Sequence, residues 1–343
     1  MSEAVLNIRW IIHIRDSITH VPYAGDTDSN SRASLDFAEA RSLPCGRHDR
    51  RKMNFAGSRE LTGQVGQMCS TDDREKNFST VEEIVKRATS DFGGILKLVC
   101  LPESFDFIGD STKVHHDGLD GPLFTRYKEL AKKYNIWISY GGFHEGIAND
   151  PTYKCYNTHV IVDNEGQIKA TYRKMHMCVV SSENGTSDES EMVKPGDQMV
   201  VCDSPVGKLG LSICYDIRFP ELYVSLRKMG AEVILIPAAF MIETGINHWQ
   251  VLLTARAIET QCFIVAAAQI GEHNDSRMSF GKSLVVCPWG NVVACCVDSN
   301  PTFTITNIDL DRTKDARKKS PCYDNRRPDV YGDVGAKELP KSK

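Results

Sequence analysis

From about residue 62 the chain alternates short apolar runs with stretches whose apolar residues recur every three or four positions. These are the periods of buried strands and amphipathic helices. Residues 63–68 predict an edge strand, and 72–92 a helix with Phe78, Val81, Ile84 and Val85 on one face. Residues 95–101 form an unbroken apolar strand that ends at Pro102-Glu103; 121–134 predict a second helix and 136–141 a second buried strand. Residues 157–162 and 167–173 read as a hairpin around the turn Asp163-Asn164-Glu165-Gly166. The segment 177–197, rich in Ser, Glu, Asn and Gly, predicts a long loop. Strands at 200–204 and 208–213, a helix at 220–229 and a strand at 233–237 follow. Next comes a helix at 248–261, with Trp249, Leu252, Leu253 and Ile258 in its apolar stripe. Strands at 263–269, 282–287, 291–297 and 302–308 complete the pattern, and the charged, Pro-bearing chain after Asp309 reads as an arm.

Strands alternating with helices, plus several hairpins, indicate an α/β domain, here spanning 61–332 with a short tail over 333–343. Residues 1–60 lack this periodicity and predict a disordered extension. Its eight acidic residues, from Glu3 to Glu60, argue against a mitochondrial transit peptide and leave the cytoplasm as the expected compartment, a mitochondrial address being secondary. The net charge of −4 excludes a basic surface for nucleic acid. No apolar run approaches the roughly 20 residues of a membrane span. The twelve cysteines form no C-x-x-C pair and no framework spacing, which suits reduced thiols rather than a disulfide scaffold.

Three reactive residues fall at predicted strand ends: Glu103, Lys174 and Cys214. Ligands of open α/β sheets gather at such ends, so these three are placed to converge. Cys214 sits on the bend between a strand and a helix that opens at Pro220. Backbone N–H groups and a helix N-terminus there favour the thiolate. A carboxylate at 103 suits a general base for the thiol, and an ammonium at 174 suits the stabilisation of an oxyanion. The backbone N–H of Tyr215 supplies a second oxyanion donor. Taken singly, each has a plain alternative: an inert core thiol, a surface carboxylate, a solvated lysine.

The combination resembles the nitrilase superfamily of carbon-nitrogen hydrolases. Leu101-Pro102-Glu103-Ser104-Phe105 is similar to its base motif, Tyr172-Arg173-Lys174-Met175-His176 to its lysine motif, and the stretch from Leu211 through Cys214-Tyr215-Asp216 to Pro220-Glu221 to its nucleophile motif. Asn247-His248-Trp249, Ser279-Phe280-Gly281-Lys282-Ser283 and Pro288-Trp289-Gly290 extend the likeness, which covers about 63–332. The resemblance implies a four-layer α-β-β-α sandwich and a Glu-Lys-Cys triad that hydrolyses non-peptide C–N bonds through a thioester, with no metal or organic cofactor. By motif, Glu103 is the general base, Lys174 the oxyanion and proton-donor group and Cys214 the nucleophile. A second glutamate is expected between lysine and cysteine; Glu189 fits, with Glu183 and Glu191 as rivals. A homodimer or higher homo-oligomer is also implied, with the helix over 221–229 as the partner face.

Within the superfamily, Asp106-Phe107-Ile108, Gly141-Gly142-Phe143-His144-Glu145 and Met175-His176-Met177-Cys178 resemble the branch that hydrolyses deaminated glutathione to 2-oxoglutarate and cysteinylglycine. Its neighbour, acting on 2-oxoglutaramate, is the alternative. Both substrates are small amides carrying a 2-oxo acid group. Arg218 suits a substrate carboxylate or, equally, an ion pair with Asp216 or Glu221. Phe240 and His248 are further candidates for the pocket. Departures occur at 179–185, which lacks the branch's usual proline, at Cys287 in place of a common Asp, and at 238–240. Two other readings are a papain-like Cys-His hydrolase, which needs a histidine on Cys214, and a silent scaffold. The filled triad argues against the scaffold.

Overall fold

The computed structural model describes residues 62–332 except 110–116, 149–151, 153, 183–184 and 298–300. The extension predicted over 1–60 and the tail over 333–343 lie outside the described residues. Among the described residues, no helix is long and apolar enough to cross a membrane, and the cysteines are free thiols.

The first half of the domain builds one α-β layer pair. Strands β1 (Thr62–Met68), β2 (Leu96–Cys100), β3 (Trp137–Gly146), β4 (Cys155–Val162) and β5 (Ile168–Arg173) lie side by side in chain order, the first three parallel and the rest antiparallel. Helices α1 (Arg74–Phe92) and α2 (Pro122–Lys133) cover the outer face. Asp73 caps α1 by accepting from Lys76 N at 3.0 Å, and Pro122 opens α2 where no N–H is needed. Val81, Ile84 and Val85 of α1 and Phe124 and Tyr127 of α2 pack on Val99, Ile138, Tyr140 and Val160 of the sheet.

The second half builds a matching pair. After a hairpin of β6 (Val179–Ser182) and β7 (Gly185–Asp188) come β8 (Val201–Cys202), β9 (Leu209–Leu211), helix α3 (Pro220–Lys228), β10 (Val233–Leu235), α4 (Ile242–Thr244) and α5 (Gln250–Thr260). They are followed by β11 (Phe263–Ala266), β12 (Ala268–Asn274), β13 (Arg277–Phe280), β14 (Leu284–Val286), β15 (Val292–Cys295), β16 (Thr302–Asn307), α6 (Leu310–Lys319) and α7 (Pro328–Tyr331). The second sheet runs β15-β14-β11-β10-β9-β8, with α3 and α5 on its outer face through Leu222, Tyr223, Leu226, Leu253 and Ala257. Between the two sheets lies a third core. Val65, Leu98, Ile161 and Tyr172 of one meet Leu209, Leu211, Val233, Leu235, Phe263 and Val265 of the other. The layers are therefore α-β-β-α, as expected.

Several predicted elements differ. The strand over 63–68 is internal rather than an edge, because β16 and β12 return to pair with β1. The run over 263–269 is two strands in different sheets: β11 pairs with β10, and after Ala267 the chain crosses so that β12 pairs with β1. Small alanines at 266–268 let the sheets approach there without a turn residue to announce the crossing. The loop over 177–197 contains the β6–β7 hairpin. The arm after Asp309 begins with α6, which buries Thr313 and Ala316.

Candidate active site

Three strand ends carry the site. Beyond β2 the chain turns at Pro102, and Ser104 takes a left-handed φ of 54°. Its N–H donates to Gly142 O at 3.0 Å, and the buried Gln269 amide donates to Glu103 O at 2.9 Å, so the backbone around Glu103 is fixed from two sides. Lys174 follows β5, with its N–H on Asn157 O at 2.9 Å and its carbonyl accepting from Gly196 N at 2.8 Å. Cys214 opens a 3-10 turn, Cys214–Arg218, with φ of 47° and its N–H on Pro237 O at 2.8 Å. A non-glycine residue held in the left-handed region is costly, and it presents the thiol at the bend.

The side chains converge. Lys174 Nζ lies 3.0 Å from Glu103 Oε1 and 2.8 Å from each oxygen of Glu189. The Cys214 thiol lies close enough to the Glu103 carboxylate and to the Ala239 backbone N–H for both to act on its proton affinity. Glu189 heads a short 3-10 turn after β7, and its Oε2 accepts from Cys178 N at 2.8 Å. Of its rivals, Glu191 is exposed and Glu183 lies outside the described residues. Asn157, which the sequence did not single out, donates its amide to Glu103 Oε1 at 2.9 Å and reaches Glu189 Oε1 at 3.5 Å.

Charge is distributed unequally. Burial drives the Glu103 carboxyl up, but the Lys174 ammonium, with the donors Cys214 and Asn157, more than offsets this and holds it below the usual carboxylate value. Burial pulls Lys174 down, and the carboxylates of Glu103 and Glu189 reverse that and hold it well above its usual value. Burial and the Glu103 charge push the Cys214 thiol well up, against the opposing pull of Lys174 and the Ala239 N–H. The expected thiolate is therefore corrected: the resting set is a carboxylate, an ammonium and a thiol.

Four residues beyond the nucleophile, Arg218 NH1 stands 3.3 Å from His248 Nδ1, and its guanidinium lies 5.4 and 5.5 Å from the rings of Tyr215 and Phe240. His248 is placed by a π-helical turn, Gly245–Trp249, where a plain α-helix was expected. Such turns recur at functional sites. Neither expected ion pair of Arg218, with Asp216 or with Glu221, forms among the described residues: Asp216 accepts from Ile213 N, Tyr172 Oη and His176 instead. The buried Arg218 Nε has no partner among the described residues. His176 spends Nδ1 on Asp216 at 2.7 Å and stacks its ring on Phe219, so the thiol's basic partner is a carboxylate and not an imidazole.

The chain matches the family described as carbon-nitrogen hydrolase over residues 64–318. It is 45% identical over 276 residues to the deaminated glutathione amidase of Dictyostelium discoideum, covering 78% of this chain and 94% of that one. It is also 45% identical to the human protein of the same name, over 79% of this chain and 84% of the relative. Among solved structures, the Caenorhabditis elegans NitFhit protein superposes with a TM-score of 0.72 at 41% identity, over 79% of this chain and 66% of that one. The layers, the strand-end cluster and these matches agree: this chain belongs to the carbon-nitrogen hydrolase family of the nitrilase superfamily.

Proposed function

We propose that the protein is an amidase that cleaves deaminated glutathione into 2-oxoglutarate and cysteinylglycine through a thioester on Cys214. The observation that carries the reaction is the Glu103 carboxylate, which meets both the Lys174 ammonium, at 3.0 Å, and the Cys214 thiol. Glu103 takes the thiol proton as sulfur attacks the amide carbon, so no free thiolate need accumulate. The developing oxyanion is stabilised by Lys174 and by the backbone N–H of Tyr215 in a water-poor site. The proton returns to the leaving amine through the Glu103–Lys174 pair, and cysteinylglycine departs. Water, deprotonated by Glu103, then attacks the thioester to release 2-oxoglutarate and restore the thiol. Glu189 keeps Lys174 charged and aimed.

Substrate choice rests on Arg218. A guanidinium with a buried, unpartnered Nε a few residues from the nucleophile suits the carboxylate of a 2-oxo acid, with Phe240 and His248 bordering it. The names of the relatives support the same substrate. A cytosolic location fits the free thiols. Self-association finds support on α5, where Val251 and Ile258 are exposed, rather than on α3, whose Leu222 to Leu226 are buried within the chain.

The test is hydrolysis of deaminated glutathione against 2-oxoglutaramate, beside Cys214→Ala. Preference for the tripeptide analogue, abolished in the variant, is the expected result. Preference for 2-oxoglutaramate moves the protein to the neighbouring branch with the same residues. Activity on neither refutes the substrate assignment.

A further inference from the structure

Asp216 is fully buried two residues after the nucleophile, and no step of the proposed reaction uses it. Both carboxylate oxygens are filled. Oδ2 accepts from the Tyr172 hydroxyl at 2.7 Å and from Ile213 N at 2.8 Å. Oδ1 meets the backbone N–H and ring Nδ1 of His176, at 3.1 and 2.7 Å. These partners have a pattern. Tyr172 and His176 stand two residues before and two after Lys174, and Ile213 immediately precedes Cys214. One carboxylate therefore ties both flanks of the lysine to the base of the nucleophile bend.

This bridge joins segments from different sheets. Tyr172 belongs to β5 in the first, and Ile213 follows β9 in the second. Besides Asp216, His159 of β4 meets Ser212 O at 3.1 Å across the two sheets, and the Glu103 carboxylate lies against both Lys174 and Cys214. That carboxylate has to move protons during turnover, so it is poorly suited to hold the frame as well. An anion can accept four hydrogen bonds on two oxygens, whereas an amide offers one oxygen and a donor. An asparagine at 216 must turn its NH2 either toward Ile213 N–H or toward His176 N–H, so one side of the bridge opens.

We propose that Asp216 is a positioning residue that sets the separation and orientation of Lys174 and Cys214. The inference rests on the Glu103–Lys174–Cys214 reading above. Its effect belongs to the chemical step, because displacements of about 1 Å in an aligned site cost on the order of 100-fold in rate while ground-state binding survives.

The experiment measures kcat and KM for deaminated glutathione in Asp216→Asn and Tyr172→Phe, beside Cys214→Ala and Val233→Ala. Val233 is buried at the start of β10, away from the bend, and its truncation reports on lost stability alone. All assays run well below each variant's Tm. The expected result is a kcat lowered on the order of 100-fold in Asp216→Asn and about tenfold in Tyr172→Phe, with KM changed less than about threefold, while Val233→Ala keeps its kcat. Native kcat in folded Asp216→Asn and in Tyr172→Phe overturns the proposal, as does a loss confined to KM. If Asp216→Asn does not fold, Tyr172→Phe decides alone, since it removes one bond and leaves the carboxylate in place. Activity retained in Cys214→Ala refutes the reaction reading itself, a result distinct from the failure of Asp216.

Discussion

Asn157 Nδ2 lies 2.9 Å from Glu103 Oε1, reaching from β4 to a carboxylate 54 residues earlier in the chain. The amide can only donate to that oxygen, so it favours the ionised form of the proposed base. It belongs with Lys174 and the Cys214 thiol in the set that outweighs the burial of Glu103.

Replacing Asn157 by Leu, close in volume and without a donor, tests this. Glu103 should then hold its proton to higher pH, because a bond to its charged form has been lost. The acidic limb of kcat/KM should move upward in pH, and the plateau should fall on the order of 10- to 100-fold, the usual worth of a hydrogen bond to a charged group. A pH–rate profile from pH 4 to 9 measures both, and an unmoved acidic limb would sink the assignment.

Lys174 stands between two carboxylates at 2.8–3.0 Å and is 2% exposed. Lys174→Met leaves Glu103 and Glu189 facing each other without the ammonium. Removing one member of a buried ion pair costs about 3–5 kcal/mol. The sign with pH follows from Glu103. In the native protein its lowered value contributes stability above the unfolded carboxyl value, lost as pH falls through the folded one. Without Lys174, burial raises the folded value, so protonated Glu103 is tolerated and stability is lost as pH rises. Urea unfolding of both proteins at acidic and alkaline pH should therefore show a deficit that widens with pH. A constant deficit would contradict this account.

Arg218→Ala removes the guanidinium but not the reacting set. A charged hydrogen-bonded contact is worth about 1.5–3 kcal/mol, so KM for deaminated glutathione should rise on the order of 10- to 100-fold with a smaller change in kcat. An amide lacking the 2-oxo acid carboxylate should be hydrolysed equally by both proteins. If its KM rises in parallel, Arg218 acts on the pocket and not on a substrate carboxylate.

What the sequence disclosed divides along physical lines. Glu103, Lys174 and Cys214 were legible because each ends a strand whose apolar run is visible in the chain, and the layers followed from strands and helices of ordinary period. Asn157 and Gln269 were not. They lie within strands, and their partners come from segments that only the folded sheets bring near. The thiol's protonation was misjudged for a related reason: the bend and the lysine are local signals, whereas burial and the Glu103 charge depend on the assembled core. The crossing at Ala267 was hidden because alanine suits either side of it and no turn residue marks the change of sheet.

Gly141 shows how tightly that assembly constrains the site. It lies in β3, and a Cβ there would overlap Pro237 Cβ and Leu101 O. Pro237 follows β10 of the second sheet, and its carbonyl receives the Cys214 N–H at 2.8 Å, while Leu101 is two residues before Glu103. A methyl group at 141 therefore pushes on the supports of both the nucleophile and the base. Overpacking of a filled interior costs about 1–3 kcal/mol. Gly141→Ala should lower Tm, and well below that Tm it should still lose kcat on the order of tenfold or more, because the push reaches the reacting groups. Alanine at Gly94, where a Cβ meets nothing within 4 Å, should leave kcat unchanged. Full kcat in folded Gly141→Ala would mean that the sheets can part there without moving Cys214 relative to Glu103.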